Sequence, residues 1–339
     1  MGGRDKTKGL STKVNKMKTI ISKVDWQLLE KELTADKFIA DTNNGNNEIY
    51  VFTAHDSPYL MREVGRLREL TFRDAGGGTG DELDVDKYDM YDKPFQQLIV
   101  WNPGDKEIVG GYRYIHGKDI EVNGEEVKSA TSHLFKFSEK FINEYLPYSI
   151  ELGRSFVQPN YQPTYNLKKG MYSLDNLWDG LGAMVVEAPD VQYLFGKMTM
   201  YTDYNKGARD ILLYFMYNLF SDDDGLLLPH HQLEFETPIE ELVDIFKGAT
   251  FEENYRLLVR ALRSKKENIP PLFNAYMNLS PTMKIFGTAI NDEFGYVEET
   301  GMMIILDDLY EKKKKRYLHS YLHKISRNIK SIKKIRYDR

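Results

Sequence analysis

Apolar residues recur along this chain at two spacings, and each spacing marks a set of elements. Between residues 59 and 73 they fall at Leu60, Val64, Leu67 and Leu70, three or four apart, which predicts an amphipathic helix. His55-Asp56-Ser57-Pro58 reads as its start, with Ser57 at the N-cap and Pro58 at the first helical position. Upstream, residues 26–33 read as a short helix and 48–53 as a strand. Residues 96–101 and 108–114 read as strands joined by the turn Asn102-Pro103-Gly104-Asp105, hence a hairpin. A helix is expected over 131–145 and a third strand over 149–157. A polar loop, 158–170, then leads into a helix over 171–186, a buried strand over 191–200 and a helix over 203–220. Residues 221–268 read as a polar insertion containing helix, and strands return at 283–290 and 301–306.

This order predicts a mixed α/β (α+β) fold, a mainly antiparallel central sheet flanked by helices. The main domain is expected over 25–311, after a flexible basic segment, 1–24. From Tyr317 onward Leu318, Leu322, Ile325, Ile329 and Ile332 recur at helical spacing among Lys and Arg. Residues 312–339 therefore predict a basic amphipathic helix. Such a helix could lie on an anionic bilayer, grip an acidic protein, or pack on the domain with its basic face solvated.

Composition narrows the options. With 41% apolar residues in 339, the chain can bury a large core. It has no cysteine, which excludes disulfides, Fe–S ligation and thiol nucleophiles. No N-terminal apolar stretch follows the basic start, and no run approaches the roughly 20 apolar residues of a membrane span. The expectation is a cytoplasmic protein, peripheral at most on the inner face of the membrane. Net charge is −5, yet residues 1–24 carry +6 and 312–339 carry +11, so an acidic body stands between basic ends. That asymmetry points to an anionic partner, and the acidic body with no recognition motif argues against nucleic acid.

Three stretches set charge beside buried-looking residues: Arg66-Leu-Arg68-Glu-Leu-Thr-Phe72, Glu82-Leu-Asp84-Val-Asp86-Lys-Tyr-Asp89 and Glu151-Leu-Gly-Arg154-Ser-Phe-Val157. Arg113 stands alone in an otherwise uncharged strand. Strand alternation separates Glu151 from Arg154, and a bulge near Gly153 would return them to one side. Structural Glu–Arg pairing explains these residues equally well. Asp84, Asp86 and Asp89 offer oxygen ligands, but their spacing departs from a calcium loop, and no metal site is expected.

Taken in order, Arg68-xxx-Phe72, Asp84-x-Asp86-xx-Asp89, Gly110-Gly-Tyr-Arg113 and Glu151-Leu-Gly-Arg154-Ser resemble two related groups. One is the acyl-homoserine lactone synthases. The other is the hemolysin-like GNAT N-acyltransferases that begin ornithine-lipid and glycine-lipid synthesis. Glu151-Leu-Gly-Arg154-Ser is closer to the lipid group. So are Asp175-Asn-Leu-Trp-Asp-Gly-Leu-Gly182, Leu194-Phe-Gly196, Asn268-Ile-Pro-Pro-Leu-Phe-Asn-Ala-Tyr276 and Gly287-Thr-Ala-Ile-Asn-Asp292. The resemblance spans about residues 48–310 and is most specific toward the glycine N-acyltransferases.

The resemblance implies a GNAT-like fold and transfer of a fatty acyl chain, 3-hydroxylated, from acyl carrier protein to the amine of an amino acid, with no bound cofactor. Its catalytic residues would be Glu151, Arg154 and Ser155, with Glu151 as base, directly or through a water, and backbone N–H groups near Arg154–Phe156 at the oxyanion. Asp84 or Asp86 would hold the acceptor's ammonium. Arg68, Arg113 and Arg154 would bind its carboxylate or orient the acids. Tyr204 stands where GNAT-like enzymes often place a general acid, though a packed tyrosine also fits, and His133 either lines the acceptor pocket or packs. The usual Q/R-x-x-G-x-G/A loop is replaced by one ending in Lys168-Lys169-Gly170, a candidate site for the phosphopantetheine phosphate. The departure favours acyl carrier protein over coenzyme A as donor. Other readings are ornithine as acceptor, a lactone synthase using S-adenosylmethionine, and a non-catalytic membrane-active protein.

Overall fold

The computed structural model describes residues 17–322. Eight strands form one sheet: β1 (Phe38–Asp41), β2 (Glu48–Phe52), β3 (Gln96–Asn102), β4 (Glu107–His116), β5 (Ser149–Val157), β6 (Tyr193–Met200), β7 (Lys284–Asn291) and β8 (Val297–Ile305). Their order across the sheet is β1-β2-β3-β4-β5-β6-β8-β7. Neighbours run antiparallel except β5 and β6, which are parallel. The mixed fold with a mainly antiparallel sheet thus matches the hydrophobic pattern.

Alternation along the strands builds two cores. Leu98, Tyr112, Met198 and Met302 face a layer made by α3 (Ser173–Glu187), α4 (Lys206–Leu219), α5 (Ile239–Ile245), α6 (Phe251–Ser264) and α7 (Pro271–Met277). The intervening residues Ile99, Trp101 and Phe156 face α1 (Trp26–Glu32) and α2 (Pro58–Asp74). Further along that second side, Ile115, Phe195 and Met303 meet Phe135, Phe137 and Phe141. The insertion after residue 220 contributes to the first core, because Leu258 and Leu262 of α6 are fully buried against α4.

Ser57 and Pro58 hold the positions read from sequence, but Ser57 does not cap α2 with its side chain. Its hydroxyl donates to Asp56, and Glu32 at the end of α1 accepts from the backbone N–H groups of Tyr59 and Leu60 at 3.1 and 2.8 Å. A carboxylate there also meets the positive end of the helix dipole.

The helix expected over 131–145 is not one. Phe135-Lys136-Phe137 alternates buried, exposed, buried, and pairs antiparallel with Leu227–Pro229. Two aromatics on one face of a strand outweighed a weak helical pattern, and helical backbone begins only at residue 139 and runs to 148. Two strands of the central sheet also escaped the pattern, wholly or in part. β1 was hidden in a polar stretch, and β8 begins at Val297 because partners bury its leading glutamates.

The termini are tied down where they are described. Lys18 and Ile21 donate backbone hydrogen bonds to Gly80 and Glu82, so the described part of the basic N-terminal segment lies against a loop. Residues 311–322 coil against α3, with Tyr317 bonded to Asp175 and Tyr321 to Glu187. Ile325, Ile329 and Ile332 of the expected basic helix lie outside the described residues. Among the described residues no helix is long and apolar enough to cross a membrane.

Candidate active site

The sheet forks at its centre. β5 and β6 pair over four residues, Ser149↔Tyr193 to Leu152↔Gly196, and then separate. Gly196 permits the last pair, since a Cβ there would lie 2.4 Å from the Leu152 carbonyl oxygen. On its other edge β5 carries a bulge. Gly111 faces Phe156 and Arg113 faces Gly153, so Arg154 and Ser155 together oppose Tyr112. Arg154 takes φ +52°, a conformation that costs a non-glycine residue free energy and that bends the strand. The bulge expected near Gly153 therefore exists, one residue on.

Arginines and aspartates interlock beside the fork. Asp84 reaches it because Gly65 leaves α2 open to close approach: the Asp84 N–H donates to the Gly65 carbonyl at 2.9 Å. Arg113 donates to both oxygens of Asp86, at 2.7 and 2.8 Å, and to Asp89 at 3.0 Å. Arg68 donates to Asp89 at 3.1 Å and to Gln97, whose amide in turn donates to Asp89. Arg154 stacks on Phe294 at 4.1 Å and lies 2.8 Å from Asp84. Three guanidinium groups thus meet three carboxylates. Burial opposes ionisation of Asp86 and Asp89, but Arg113 outweighs it and holds both below the usual carboxylate range. Asp84 goes the other way. Its complete burial raises it despite Arg154 and Arg68. These three acids are engaged by arginine, which gives the Asp84-x-Asp86-xx-Asp89 spacing its structural reason.

Glu151 sits at the root of the fork and is 1% exposed. Its Oε1 accepts from both the N–H and the hydroxyl of Thr131, each at 2.7 Å. Its Oε2 has no hydrogen-bond partner among the described residues. Burial raises the carboxyl, and hydrogen bonds from the Thr131 side and the charge of Lys197 only partly offset that. A carboxylate of raised pKa with one oxygen fixed and one unengaged suits a proton acceptor. Across the fork, Lys197 bridges the Ala130 carbonyl and Glu299 at 3.0 and 2.9 Å. Burial works against the Glu299 carboxylate, but Lys197 and Arg154 keep it low.

A cavity of about 990 Å³ runs through the fork. Alternation gives it two characters. Glu151, Arg113, Asp86, Arg154, Lys197 and Glu299 line a polar part on the α2 side. Leu152, Leu177, Trp178, Met200, Leu272 and Met302 line an apolar part beneath α3 and α7. The Tyr112 hydroxyl also faces the apolar part, buried and without a hydrogen-bond partner among the described residues.

The sequence-derived residues divide accordingly. Glu151, Arg154, Ser155, Tyr204, Asp86, Arg113 and His133 all line the cavity. Ser155 is exposed there, His133 lies 3.6 Å from Glu293, and the Tyr204 hydroxyl donates to the Asn268 carbonyl at 2.8 Å. Arg68 and Asp84, each fully buried, stand behind the wall and outside the cavity lining, where they brace the lining arginines and acids. Lys168, Lys169 and Gly170 also lie outside it, on the short helix Leu167–Gly170, and Lys169 pairs with Asp105 at 2.7 Å. Lys197, Glu299, Thr131 and Tyr112 escaped the sequence reading. The available signal for Lys197 was a lone charge within a strand whose alternate positions, such as Met198, are apolar, whereas Glu299 follows Glu298 and reads as part of a polar stretch.

The chain is similar to known acyltransferases. An acetyltransferase (GNAT) domain matches residues 67–169. The glycine N(alpha)-acyltransferase of Phocaeicola vulgatus is 50% identical over 308 residues, 90% of this chain and 94% of that protein. The glycine N(alpha)-acyltransferase of Bacteroides thetaiotaomicron is 51% identical over 308 residues, 90% of this chain and 91% of that one. Among solved structures, the CoA-dependent acyl-homoserine lactone synthase BjaI, determined with MTA, aligns over 83% of this chain and 90% of its own at 12% identity and a TM-score of 0.36.

Proposed function

As this chain belongs to the family of the glycine N(alpha)-acyltransferases, it is an acyltransferase, and we propose that it moves a 3-hydroxylated fatty acyl chain from acyl carrier protein to the amine of glycine, the first step of an aminolipid synthesis. The observation that carries this reading is the fork. It joins a pocket holding an unengaged carboxylate oxygen to an apolar channel suited to an acyl chain.

In the proposed reaction the amine attacks the thioester carbon, its proton passes to Glu151 directly or through a water, and the carbon–sulfur bond breaks. Asp86, the more exposed of the two candidate aspartates, holds the incoming ammonium, while Arg154 and Lys197 face the glycine carboxylate. Beyond Leu152 the edge of β5 that faces β6 has no ladder partner, so N–H groups around Arg154–Phe156 are available to the oxyanion. The departing thiolate takes up the proton that Glu151 accepted from the amine, and the Tyr204 hydroxyl, kept protonated by burial, lines the same cavity as a hydrogen-bond donor toward the sulfur.

The test is product analysis by mass spectrometry with purified protein, a 3-hydroxyacyl carrier protein, and glycine or ornithine. N-acylglycine is the expected product. N-acylornithine alone, or no acylated amino acid from any donor, overturns the reading. The same assay tests the channel. A buried hydroxyl without a partner is costly, and a substrate oxygen would satisfy it. Tyr112→Phe is expected to slow transfer of the 3-hydroxy chain about tenfold and to leave an unsubstituted chain of equal length unaffected.

A further inference from the structure

The segment between Gln162 and Leu174, two residues that line the cavity, carries a concentration of exposed apolar side chains. Tyr165, Leu167, Met171 and Tyr172 are 61%, 69%, 57% and 40% exposed within eight residues. Single exposed apolar residues are ordinary, but four together on a short segment are not. The same segment contains Lys168 and Lys169. Beside it the chain returns with Lys312-Lys-Lys-Lys-Arg316, anchored by Arg316 to Asp175 at 2.5 Å and by the Tyr317 hydroxyl to the same carboxylate. Past Leu322, itself 46% exposed, the sequence adds seven more Lys and Arg residues spaced among isoleucines.

We infer that this face, residues 165–172 together with the basic turn at 312–316, docks on an anionic lipid bilayer, inserting Leu167 and Met171 beneath the headgroups. Apolar side chains flanked by Lys168 and by the basic turn at 312–316 match the surface of an anionic membrane, where tails receive the former and headgroups the latter. An acidic protein would pair with the lysines but would leave the protruding Leu167 and Met171 without an apolar counterpart. The face lies at the rim of the cavity, so an acylated product leaves the channel beside the lipid. Docking is independent of which amine the site accepts.

Flotation of the full-length protein with vesicles of phosphatidylcholine, with and without 30% phosphatidylglycerol, tests this on the order of composition that brings surface charge into play. The parent should float with the anionic vesicles and be released by raised salt. Leu167→Ser/Met171→Ser should bind them about tenfold more weakly, with an unchanged thermal melt and unchanged transfer from a soluble short-chain donor. Unchanged flotation of that variant overturns the inference. So does equal binding of the parent to both vesicle types. So does weakened binding of acyl carrier protein by the variant while its flotation matches the parent, which assigns the face to the carrier.

Discussion

Glu151→Gln should lower the rate of acyl transfer by about 10²- to 10⁴-fold while the protein stays folded, as loss of a general base requires. The substitution is suited to separating chemistry from structure. A glutamine oxygen can still accept from the Thr131 N–H and hydroxyl, so the anchoring of the side chain survives. Ionisation does not. The parent's rate should rise with pH as Glu151 loses its proton, and burial places that limb above the ordinary glutamate value of 4.5. The glutamine variant should lack the limb. Stability should move the other way. A folded-state pKa above the unfolded one means that the folded protein binds the proton more tightly, so Glu151 contributes less stability as pH rises through that range. At neutral pH the glutamine variant should therefore melt no lower than the parent. Equal activity of the two would remove Glu151 from the base role. A joint loss of activity and melting temperature would make it a structural residue.

Asp89→Ala should destabilise the fold by about 3–5 kcal/mol, measured by denaturant unfolding, because it leaves the fully buried Arg68 guanidinium without its carboxylate partner and takes one of two from Arg113. Asp89 accepts from Arg68, Arg113 and Gln97 and from the Asp86 backbone N–H, and it is fully buried. Burial works against its charge, yet Arg113 and Arg68 hold its carboxyl below the usual range. The sign follows from that direction. Asp89 contributes stability above the unfolded aspartate value of 3.8, and the contribution is lost as pH falls through the lower folded value. Acid unfolding of the parent should thus be steep below that point, and Asp89→Ala should flatten it. Activity should fall as well, since Arg113 and Asp86 border the cavity and take their positions from this network. A stability change under 1 kcal/mol would show the network to be incidental.

Much of the fold was legible because its strands alternate cleanly. Leu98 and Ile99, or Met302 and Met303, separate into two cores as the period of two demands. Where strands carry buried charge, the pattern fails. β8 was read from Gly301, although Glu298 and Glu299 precede it in the same strand, buried by Arg209 and Lys197. The Phe135–Phe137 strand was hidden for a different reason. Its pairing partner lies at Leu227–Pro229, some ninety residues away, and no local window contains it.

The site was legible in part. Glu151 and the arginine–aspartate set stood out as charges beside apolar residues, and their order along the chain supplied the resemblance. The division of labour within the set was not available. Nothing in the spacing tells that Arg68 and Asp84 lie behind the wall while Asp86 and Arg154 face the cavity; that depends on the Gly65 contact and on the turn of the bulge. Thr131 was assigned to a helix, which concealed its hold on Glu151. Lys197 and Glu299 come from strands that meet only in the sheet.

The order of strands also bears on when activity arises during synthesis. β6 contributes Lys197 to the polar wall, and its second neighbour β8, with Glu299, is made about a hundred residues later. A chain that has emerged only through β6 holds Glu151 but leaves Lys197 without its carboxylate partner and β6 with a bare edge. Long-range pairing of this kind forms late, because closing so large a loop is entropically costly. The nascent chain therefore carries Glu151 well before the Lys197–Glu299 pair across the fork can form, and the polar wall is complete only once β8 has been made.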